Sequence, residues 1–167
     1  VYIVKALDTI PNDPMYDDLY GMDQIRAPQA WDDHTGDQEF MIAVIDTGVD
    51  YNHQDISANM WTNPVEIPNN GQDDDGNGYV DDVHGYDFYN YNSDPMDGNG
   101  HGTHCSGTIG GVGNNGVGVA GVNWRCRIVA TALRGLWASH WELLRVPPGH
   151  RLPCHAACAE RGVGERT

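Results

Sequence analysis

The sequence predicts an α/β fold built around a parallel β-sheet, and two apolar segments carry this prediction. Residues 40–45 form a continuous apolar run that ends at Asp46, and residues 127–132 form a second apolar-rich run. A continuous run of this length is typical of a strand that is buried on both faces, as strands of parallel sheets are. Asp46 then stands at the carboxyl end of its strand, where open α/β sheets place their functional groups.

The remaining segments predict one short helix, one long loop and one unusual glycine-rich stretch. Residues 27–32 form the helix, with Pro28 in its first turn. Residues 66–99 are rich in Asp, Asn and Gly and form the loop. Residues 98–121 contain ten glycines, and each glycine in a helix interior costs about 1 kcal/mol. A helix in this stretch therefore requires a packing reason, such as close burial against a neighbouring element.

The composition is that of a globular protein with a strongly acidic body. The 167 residues are 40% hydrophobic and 20% charged, which suits one domain with a core. The net charge is -15, and the first 124 residues hold 21 acidic side chains against two basic ones. Such a body repels phosphate, which argues against nucleic acid as a partner, and it favours cations, calcium in particular. No apolar run is long enough to span a membrane.

Two motifs carry the chemistry. Residues 44–50 read VIDTGVD, and residues 99–107 read NGHGTHCSG. A carboxylate at a strand end and a His at a helix start can meet across the top of a sheet, where the carboxylate fixes the tautomer of the imidazole that activates a nucleophilic hydroxyl. An isolated Asp-Thr-Gly also occurs in aspartic proteases, and a lone His is usually structural. Two long motifs in this order nevertheless favour catalysis.

Both motifs resemble the Asp and His motifs of the subtilisin-like serine proteases. The resemblance implies that Asp46 is the catalytic Asp and that His101, rather than His104, is the catalytic base. It also implies a subtilisin-like parallel-sheet fold over residues 9–132, with residues 1–8 as the end of a propeptide or an N-terminal arm. Further segments are similar to the thermitase-type branch of the family, namely residues 11–14, 20–22, 27–31 and 118–122.

The sequence lacks a recognisable nucleophile. In the family the Ser follows the His by about 157 residues, whereas 66 residues follow His101 here. None of the serines has the family's Gly-Thr-Ser-Met-Ala setting; they are Ser57, Ser93, Ser106 and Ser139. We therefore expect the C-terminal half of the fold to be missing and this chain alone to be inactive.

Residues 133–167 differ in character from the rest of the chain. They are basic, rich in Pro, Trp and Cys, and do not resemble the family. A shifted reading frame or a retained intron would yield such a tail. Without an initiator Met or a signal peptide at residue 1, the chain is expected to start inside a longer precursor or to be partial. The tail also offers a weak zinc set, formed by His150, Cys154, His155 and Cys158.

The resemblance implies one strong calcium site, which joins the N-terminal arm to a loop after the His helix. Calcium takes about six to eight oxygen ligands and accepts backbone carbonyls as well as carboxylates. Asp13 and Asp55 would supply carboxylates, and Asn115 would supply a side-chain oxygen. The backbone carbonyls would come from Val112, Val117 and Val119. An ordinary Gly/Asn turn is the alternative.

A second calcium site is predicted in the acidic loop between the motifs. The spacing of 55 residues between Asp46 and His101 exceeds the family spacing of about 32, so the loop is an insertion. Its EF-hand-like ligands would be Asp73, Asp75, Asn77 and Asp81. Position 12 of that pattern is His84 rather than Glu and no apolar helices flank the loop, so a merely solvated acidic loop is the alternative. A third, weaker site is implied at Asn90, Asn92 and Asp94.

The resemblance implies a secreted serine endopeptidase that hydrolyses peptide bonds with an Asp-His-Ser triad. Calcium would be its structural cofactor, a polypeptide its substrate, and a propeptide a further partner. The alternative is a non-catalytic calcium-binding fragment, or pseudo-protease. Cys105, which follows the His motif, is expected to lie beneath the catalytic His as a small buried hydrophobe.

Overall fold

The computed structural model describes residues 8–133, and within this range it has three α-helices and three strands. The helices are α1 (Tyr20–Gln24), α2 (Ala27–Trp31) and α3 (His101–Gly110). The strands are β1 (Gly36–Asp46), β2 (Gly85–Asp87) and β3 (Arg125–Ala132). Short 3-10 helices span Tyr16–Asp18 and Ser57–Asn59. The predicted helix at residues 27–32 and the predicted loop at 66–99 are confirmed, except that β2 interrupts the loop.

The strands form one parallel sheet in the order β1-β3-β2. Between β1 and β3, Met41 lies opposite Arg127 and Asp46 lies opposite Ala132. Asp87, at the end of β2, lies opposite the same Ala132. The predicted parallel α/β fold is confirmed, and the carboxyl ends of the three strands meet at one edge of the sheet.

The expectation that residues 40–45 are buried on both faces is wrong. Val44 is buried, but Phe40 is 66% exposed and Ile45 is 43% exposed. The central strand β3 differs, since its last three residues are all buried. The reason is position, because within residues 8–133 β1 is an edge strand with a neighbour on one side, and α3 is the helix that packs against it.

The core consists of two buried clusters. The first lies around β1, β3 and the segment after β1, and it contains Val44, Val49, Ile56, Cys126, Ile128 and Ala130. The second joins α1 and α2 to the segment before β3, and it contains Met22, Ala27, Trp31, Ala120 and Trp124. The Trp31 and Trp124 ring centroids are 5.0 Å apart, and the Trp31 indole N–H donates to the Val122 carbonyl at 2.9 Å. This second cluster fixes the N-terminal segment to the sheet.

Helix α3 forms despite its glycines because two of them let it lie close to the sheet. A Cβ on Gly110 would lie 2.6 Å from the Cys126 Sγ and 3.0 Å from the Ile128 Cδ1. A Cβ on Gly102 would overlap the backbone carbonyl oxygen of Gly48. The packing reason that the sequence required is therefore the close contact between this helix and the strands and turn beneath it.

Replacing Gly110 with Ala tests this contact. We expect G110A to lower the free energy of unfolding by about 1 to 3 kcal/mol, because the added methyl group overfills a packed interface. Urea unfolding followed by circular dichroism measures the change.

The matched control is G107A in the same helix, where a new Cβ would lie 3.9 Å from the Val119 Cγ2, an ordinary van der Waals contact. This variant should be at least as stable as the original chain, since Ala is favoured over Gly in a helix by about 0.5 to 1 kcal/mol. Equal losses in the two variants would contradict the packing explanation.

Candidate active site

The sheet positions Asp46. It is the last residue of β1, it lies opposite Ala132 of β3, and its backbone carbonyl accepts the N–H of Leu133 at 2.7 Å. Its side-chain Oδ1 accepts the N–H of Thr47 at 2.7 Å. These contacts hold the carboxylate at the carboxyl edge of the sheet, where the sequence placed it.

His101 is the first residue of α3 and meets Asp46 across this edge. Its Nδ1 lies 2.7 Å from Oδ1 and 2.9 Å from Oδ2 of the carboxylate. The His side chain is 63% exposed, whereas the Asp side chain is 18% exposed. An imidazole in this position carries its proton on Nδ1, which donates to the carboxylate, and Nε2 is then the atom that can accept a proton.

The contact between Asp46 and His101 is short because the backbone at residue 102 lies close to residues 47–48. The N–H of Gly102 donates to the Thr47 Oγ1 at 3.1 Å, and a Cβ at 102 would overlap the Gly48 carbonyl oxygen. The residue after the His is thus held against the residues after the Asp. Any side chain at position 102 would push His101 away from Asp46.

Asp97 holds the turn that leads into α3. Its Oδ1 accepts the Thr47 hydroxyl at 2.9 Å and the N–H groups of Asn99 and Gly100 at 2.8 and 2.9 Å. Its Oδ2 accepts the hydroxyl and the N–H of Thr103 at 2.7 and 2.9 Å. Burial alone would raise the pKa of Asp97, but these hydrogen bonds outweigh burial and hold the pKa well below its usual range. The charged carboxylate ties the end of β1 to the start of α3.

Two cysteines lie in or beneath α3. The Cys105 Sγ is 3.8 Å from the His101 Nδ1, so the residue lies next to the His as expected, but it is only partly buried. Cys126 of β3 is buried below the helix, and burial raises the pKa of its thiol to about 11. A thiol with such a pKa stays protonated and serves the core as an apolar group.

Three of the four serines of the chain lie among the described residues. Ser106 lies on α3 but is fully buried, so it cannot meet a substrate. Ser57 opens a 3-10 helix and Ser93 lies in the loop that follows β2. Ser139 and the four residues of the weak zinc set lie outside the described residues.

The structure brings together the side chains of the first predicted calcium site. Asp13 and Asp55 are buried, with 4% and 2% of each residue exposed. Asp13 accepts three consecutive N–H groups of residues 114–116 at 2.6 to 3.1 Å. Asp55 accepts the N–H of Val119 at 2.7 Å and the side-chain amide of Asn115 at 2.9 Å. The loop after α3 therefore wraps both carboxylates, as the resemblance implies.

In the acidic loop, three of the four predicted ligands converge and one does not. The N–H of Asn77 donates to the Oδ1 atoms of Asp73 and Asp75, at 3.1 and 2.9 Å. The carboxylate of Asp81 instead accepts the two consecutive N–H groups of residues 70–71, at 3.0 Å each. Asp81 thus closes the outer turn of the loop.

Two acidic residues that the sequence did not single out join Asp73 and Asp75. Glu66 places one carboxylate oxygen within 4.8 Å of one oxygen each of Asp73 and Asp75. Asp82 is linked to Asp75 through two Asn side-chain amides at 3.0 to 3.2 Å. Burial raises the pKa of Asp82 to about 6, and the nearby charges of Asp75 and Glu66 add to the rise.

The residues of the third, weaker set are linked to one another in part. The Asn90 amide donates to Asp87 at 2.6 Å, and the backbone of Asn92 pairs with that of the same Asp87. The Asn92 Oδ1 accepts the N–H of Asp94 at 2.9 Å, whereas the Asp94 carboxylate accepts the Tyr51 hydroxyl at 3.0 Å.

Comparison with known proteins places this geometry in a family. The subtilase family matches residues 37–141. The chain therefore belongs to the subtilase family of serine proteases, so the predicted family is confirmed. Within residues 8–133, no helix is long and apolar enough to cross a membrane.

Individual relatives agree with the family match. The chain is 53% identical to subtilisin-like protease 1 of Plasmodium vivax over 89 residues. This alignment covers 53% of this chain and 14% of that protein. The chain is 38% identical to thermitase of Thermoactinomyces vulgaris over 121 residues, and this alignment covers 72% of this chain and 35% of thermitase. A solved protease of Pseudoalteromonas arctica PAMC 21717 matches with a TM-score of 0.54 and 29% identity, over 75% of this chain and 39% of that one. The chain thus spans well under half the length of each.

Sequence reasoning missed Asp97, Glu66 and Asp82. A signal existed for Asp97, since Asp followed by Gly-Asn-Gly is a pattern in which the carboxylate accepts backbone N–H groups two and three residues on. No such local signal existed for Glu66, because its neighbours in the cluster are seven or more residues away along the chain.

Replacing Asp97 with Asn tests whether its charge holds the helix start. At pH 7 we expect D97N to lower the free energy of unfolding by about 1 to 2 kcal/mol, because charge-assisted hydrogen bonds are lost. The folded-state pKa of Asp97 is depressed, so its stabilisation is present above the unfolded pKa of about 3.9 and is lost as pH falls towards the folded value. The deficit of D97N should therefore shrink below about pH 4, as measured by urea unfolding across pH.

The matched control is D33N, an exposed Asp after α2, which should change stability little at any pH. A D97N deficit of the same size at pH 3 and pH 7 would show that shape, and not charge, accounts for the role of Asp97.

Proposed function

We propose that this chain supplies the Asp and the His of an Asp-His-Ser serine endopeptidase. The observation that carries the proposal is the two-point contact of the His101 Nδ1 with the Asp46 carboxylate, at 2.7 and 2.9 Å, with most of the His ring exposed. Membership of the subtilase family supports the same reaction. The substrate would be a polypeptide.

In the proposed reaction His101 transfers the proton and Asp46 supports the imidazole ring. The His101 Nε2 takes the proton of a Ser hydroxyl as that oxygen attacks the carbonyl carbon of a peptide bond, and it later gives the proton to the leaving amine. Asp46 holds the ring in the required tautomer and stabilises its positive charge while the proton is on it. The exposure of the ring lets both the nucleophile and the substrate approach.

The nucleophile would come from the part of the relatives' length that this chain does not span. In the family the Ser follows the His by about 157 residues. Loss of the Ser costs about 10⁶-fold in kcat in the family member for which it is known. We therefore predict that this chain alone does not hydrolyse peptides.

A fluorophosphonate probe, which reacts with activated serines, tests the proposal. We expect no labelling of the 167-residue chain. We expect labelling of a chimera in which the part of thermitase that corresponds to the positions after Ala132, through to its C-terminus, is joined after Ala132. In that chimera D46N should lower kcat/KM by about 10⁴-fold, because the imidazole loses the carboxylate that fixes its tautomer.

His104→Ala is the control within the same motif, because His104 is exposed and it is His101 that contacts Asp46. The H104A chimera should keep its labelling. Labelling of the unextended chain at any Ser would contradict the missing nucleophile, and an unaffected D46N chimera would contradict the role of Asp46.

A second function, calcium binding without hydrolysis, is favoured by the buried pair Asp13 and Asp55. Within residues 8–133 no Lys or Arg forms a salt bridge with either carboxylate, and buried carboxylates are otherwise paired or bound to metal. The donor set fits calcium, with two carboxylates and the Asn115 amide at one loop. Asn115 would have to turn its amide oxygen inward, and carbonyls of Val112, Val117 and Val119 would complete the site.

Replacing Asp55 with Asn tests this site. For the original chain, calcium at one hundred times its dissociation constant should raise the free energy of unfolding by about 2.7 kcal/mol per site. D55N should lose one bound calcium and the corresponding stabilisation, as measured by calorimetric titration and by thermal unfolding with calcium or chelator. D33N is the charge-matched control, and a D55N chain that binds as much calcium as the original would contradict the assignment.

Secretion and a propeptide partner belong to the same proposal. Family resemblance is their main support. Calcium adds to it, because sites of moderate affinity stay filled at the millimolar calcium concentrations that extracellular modules are tuned to.

A further inference from the structure

Four Asn-Gly pairs occur in the chain, and each of them is open to the same spontaneous reaction. They lie at residues 70–71, 77–78, 99–100 and 115–116. The backbone nitrogen that follows an Asn can attack the side-chain carbonyl carbon of that Asn, and ammonia is then lost. A following Gly favours the attack, because it has no side chain to hinder the approach and its backbone adopts the most conformations. Asn is for this reason counted among the thermolabile residues of proteins.

In the structure, the Gly N–H of every one of these pairs donates to a carboxylate, at 2.8 to 3.1 Å. In the order of the pairs, the carboxylates are those of Asp81, Asp73, Asp97 and Asp13. The attack requires the Gly nitrogen to lose its proton, which would leave two negative groups in contact. The carboxylates therefore slow the reaction at all four pairs.

The four Asn side chains differ in how they are held. In three of them the side-chain oxygen accepts the N–H of the second residue further on, and the side-chain nitrogen donates to a carboxylate. These three are Asn70, Asn77 and Asn115. Asn99 is exposed, and its side-chain amide makes no hydrogen bond within residues 8–133. Of the four, the Asn99 side chain is thus the one that can turn towards the following nitrogen without breaking a hydrogen bond.

We propose that Asn99 is a site of spontaneous deamidation and that Asp97 sets the rate of the reaction. The proposal goes beyond the protease function and does not depend on it, because the only co-reactant is water. It assigns Asp97 a chemical role in addition to its structural one, since the same hydrogen bond holds the turn and protects the Asn-Gly pair.

The reaction has two steps. In the first, the Gly100 nitrogen forms a bond to the Asn99 Cγ, the Cγ–Nδ2 bond breaks, and ammonia leaves with the proton that the Gly100 nitrogen gives up. In the second, water opens the five-membered imide that results. Attack of water at Cγ gives Asp, whereas attack at the main-chain carbonyl carbon gives isoaspartate, in which the chain runs through Cβ and Cγ. Both residues are exposed, so water reaches both carbons.

The place of Asn99 in the chain gives the reaction a consequence for the catalytic pair. Asn99 lies two residues before His101, in the turn whose N–H groups Asp97 accepts. Isoaspartate puts an additional carbon atom into the main chain of this turn, so these hydrogen bonds have to change and the start of α3 has to move. We expect His101 then to lose its short contact with Asp46. An ordinary Asp at position 99 keeps the chain length and the contact.

Peptide mapping by mass spectrometry, after incubation of the 167-residue chain at mildly alkaline pH, tests the proposal. In the folded chain, Asn99 should exchange its amide for a carboxyl group faster than the Asn of any other Asn-Gly pair. In urea the four should react at similar rates, because each is followed by Gly. Equal rates at the four pairs of the folded chain, or a slower reaction at Asn99 than at any of the others, overturn the proposal.

Asp97→Ala tests whether Asp97 sets the rate. D97A should speed the reaction at Asn99 by about ten- to hundredfold, the factor that corresponds to one charge-assisted hydrogen bond, and leave the other pairs unchanged. D97S should give an intermediate rate, because a Ser hydroxyl still accepts a backbone N–H in such a turn. An unchanged rate at Asn99 in both variants overturns the role of Asp97.

The matched control is D33A, an exposed Asp after α2, which should change none of the four rates. The other three Asn-Gly pairs report on folding in the same sample. If D97A unfolds the chain, all four pairs accelerate together, and the rate at Asn99 in D97S relative to the other three then decides.

Proton NMR at low temperature tests the consequence for the pair. The proton that the His101 Nδ1 shares with the Asp46 carboxylate should give a strongly downfield signal in the original chain and in N99D. The signal should be absent from the isoaspartate form once that form is separated by chromatography, and its persistence there overturns the consequence. Fluorophosphonate labelling of the thermitase chimera tests the protease function separately, since the deamidation rates are measured without it.

Discussion

The close approach of α3 to the end of β1 is the contact on which the rest of the site depends. Asp46 and His101 are 55 residues apart in the chain, yet their side chains meet at 2.7 Å. That distance is set by backbone, because Gly102 presses against Gly48 and Gly110 lies against β3. A helix with ordinary side chains on this face would stand farther from the sheet. The glycines that lower the intrinsic stability of α3 therefore allow it to lie close enough to β1 for His101 to contact Asp46.

The loops contain many carboxylates, and hydrogen bonds from backbone N–H groups stabilise the negative charge of several of them. Asp97 and Asp13 each accept several N–H groups from short turns, so that a turn and a carboxylate stabilise each other. Such hydrogen bonds need no basic residue, and only two Lys or Arg residues occur before residue 125. They suffice where enough N–H groups converge. At Glu66 they do not, since Oε1 accepts two N–H groups and Oε2 has no hydrogen-bond partner among residues 8–133.

Much of this organisation could be predicted from the sequence, for reasons that particular residues make plain. The strands at 40–45 and 127–132 were predictable because apolar runs report burial, and Asp46 and His101 because their motifs are long. The exposure of Phe40 was not predictable, since it depends on which neighbours the sheet supplies. Glu66 was hidden because its partners lie far along the chain, and Asp81 was misleading because a ligand-like spacing does not fix where a carboxylate points.

Within residues 8–133, one side of β1 has no partner strand, and this affects how these molecules behave together. An 11-residue edge strand with Phe40 and Ile45 exposed offers backbone groups and apolar area to a second molecule. A net charge of -15 keeps such molecules apart, but that repulsion acts over a screening length of about 10 Å at 0.1 M salt and about 3 Å at 1 M. Solubility is therefore a balance between long-range repulsion and short-range strand pairing. Ionic strength, and any calcium that neutralises the acidic loops, shifts that balance towards association.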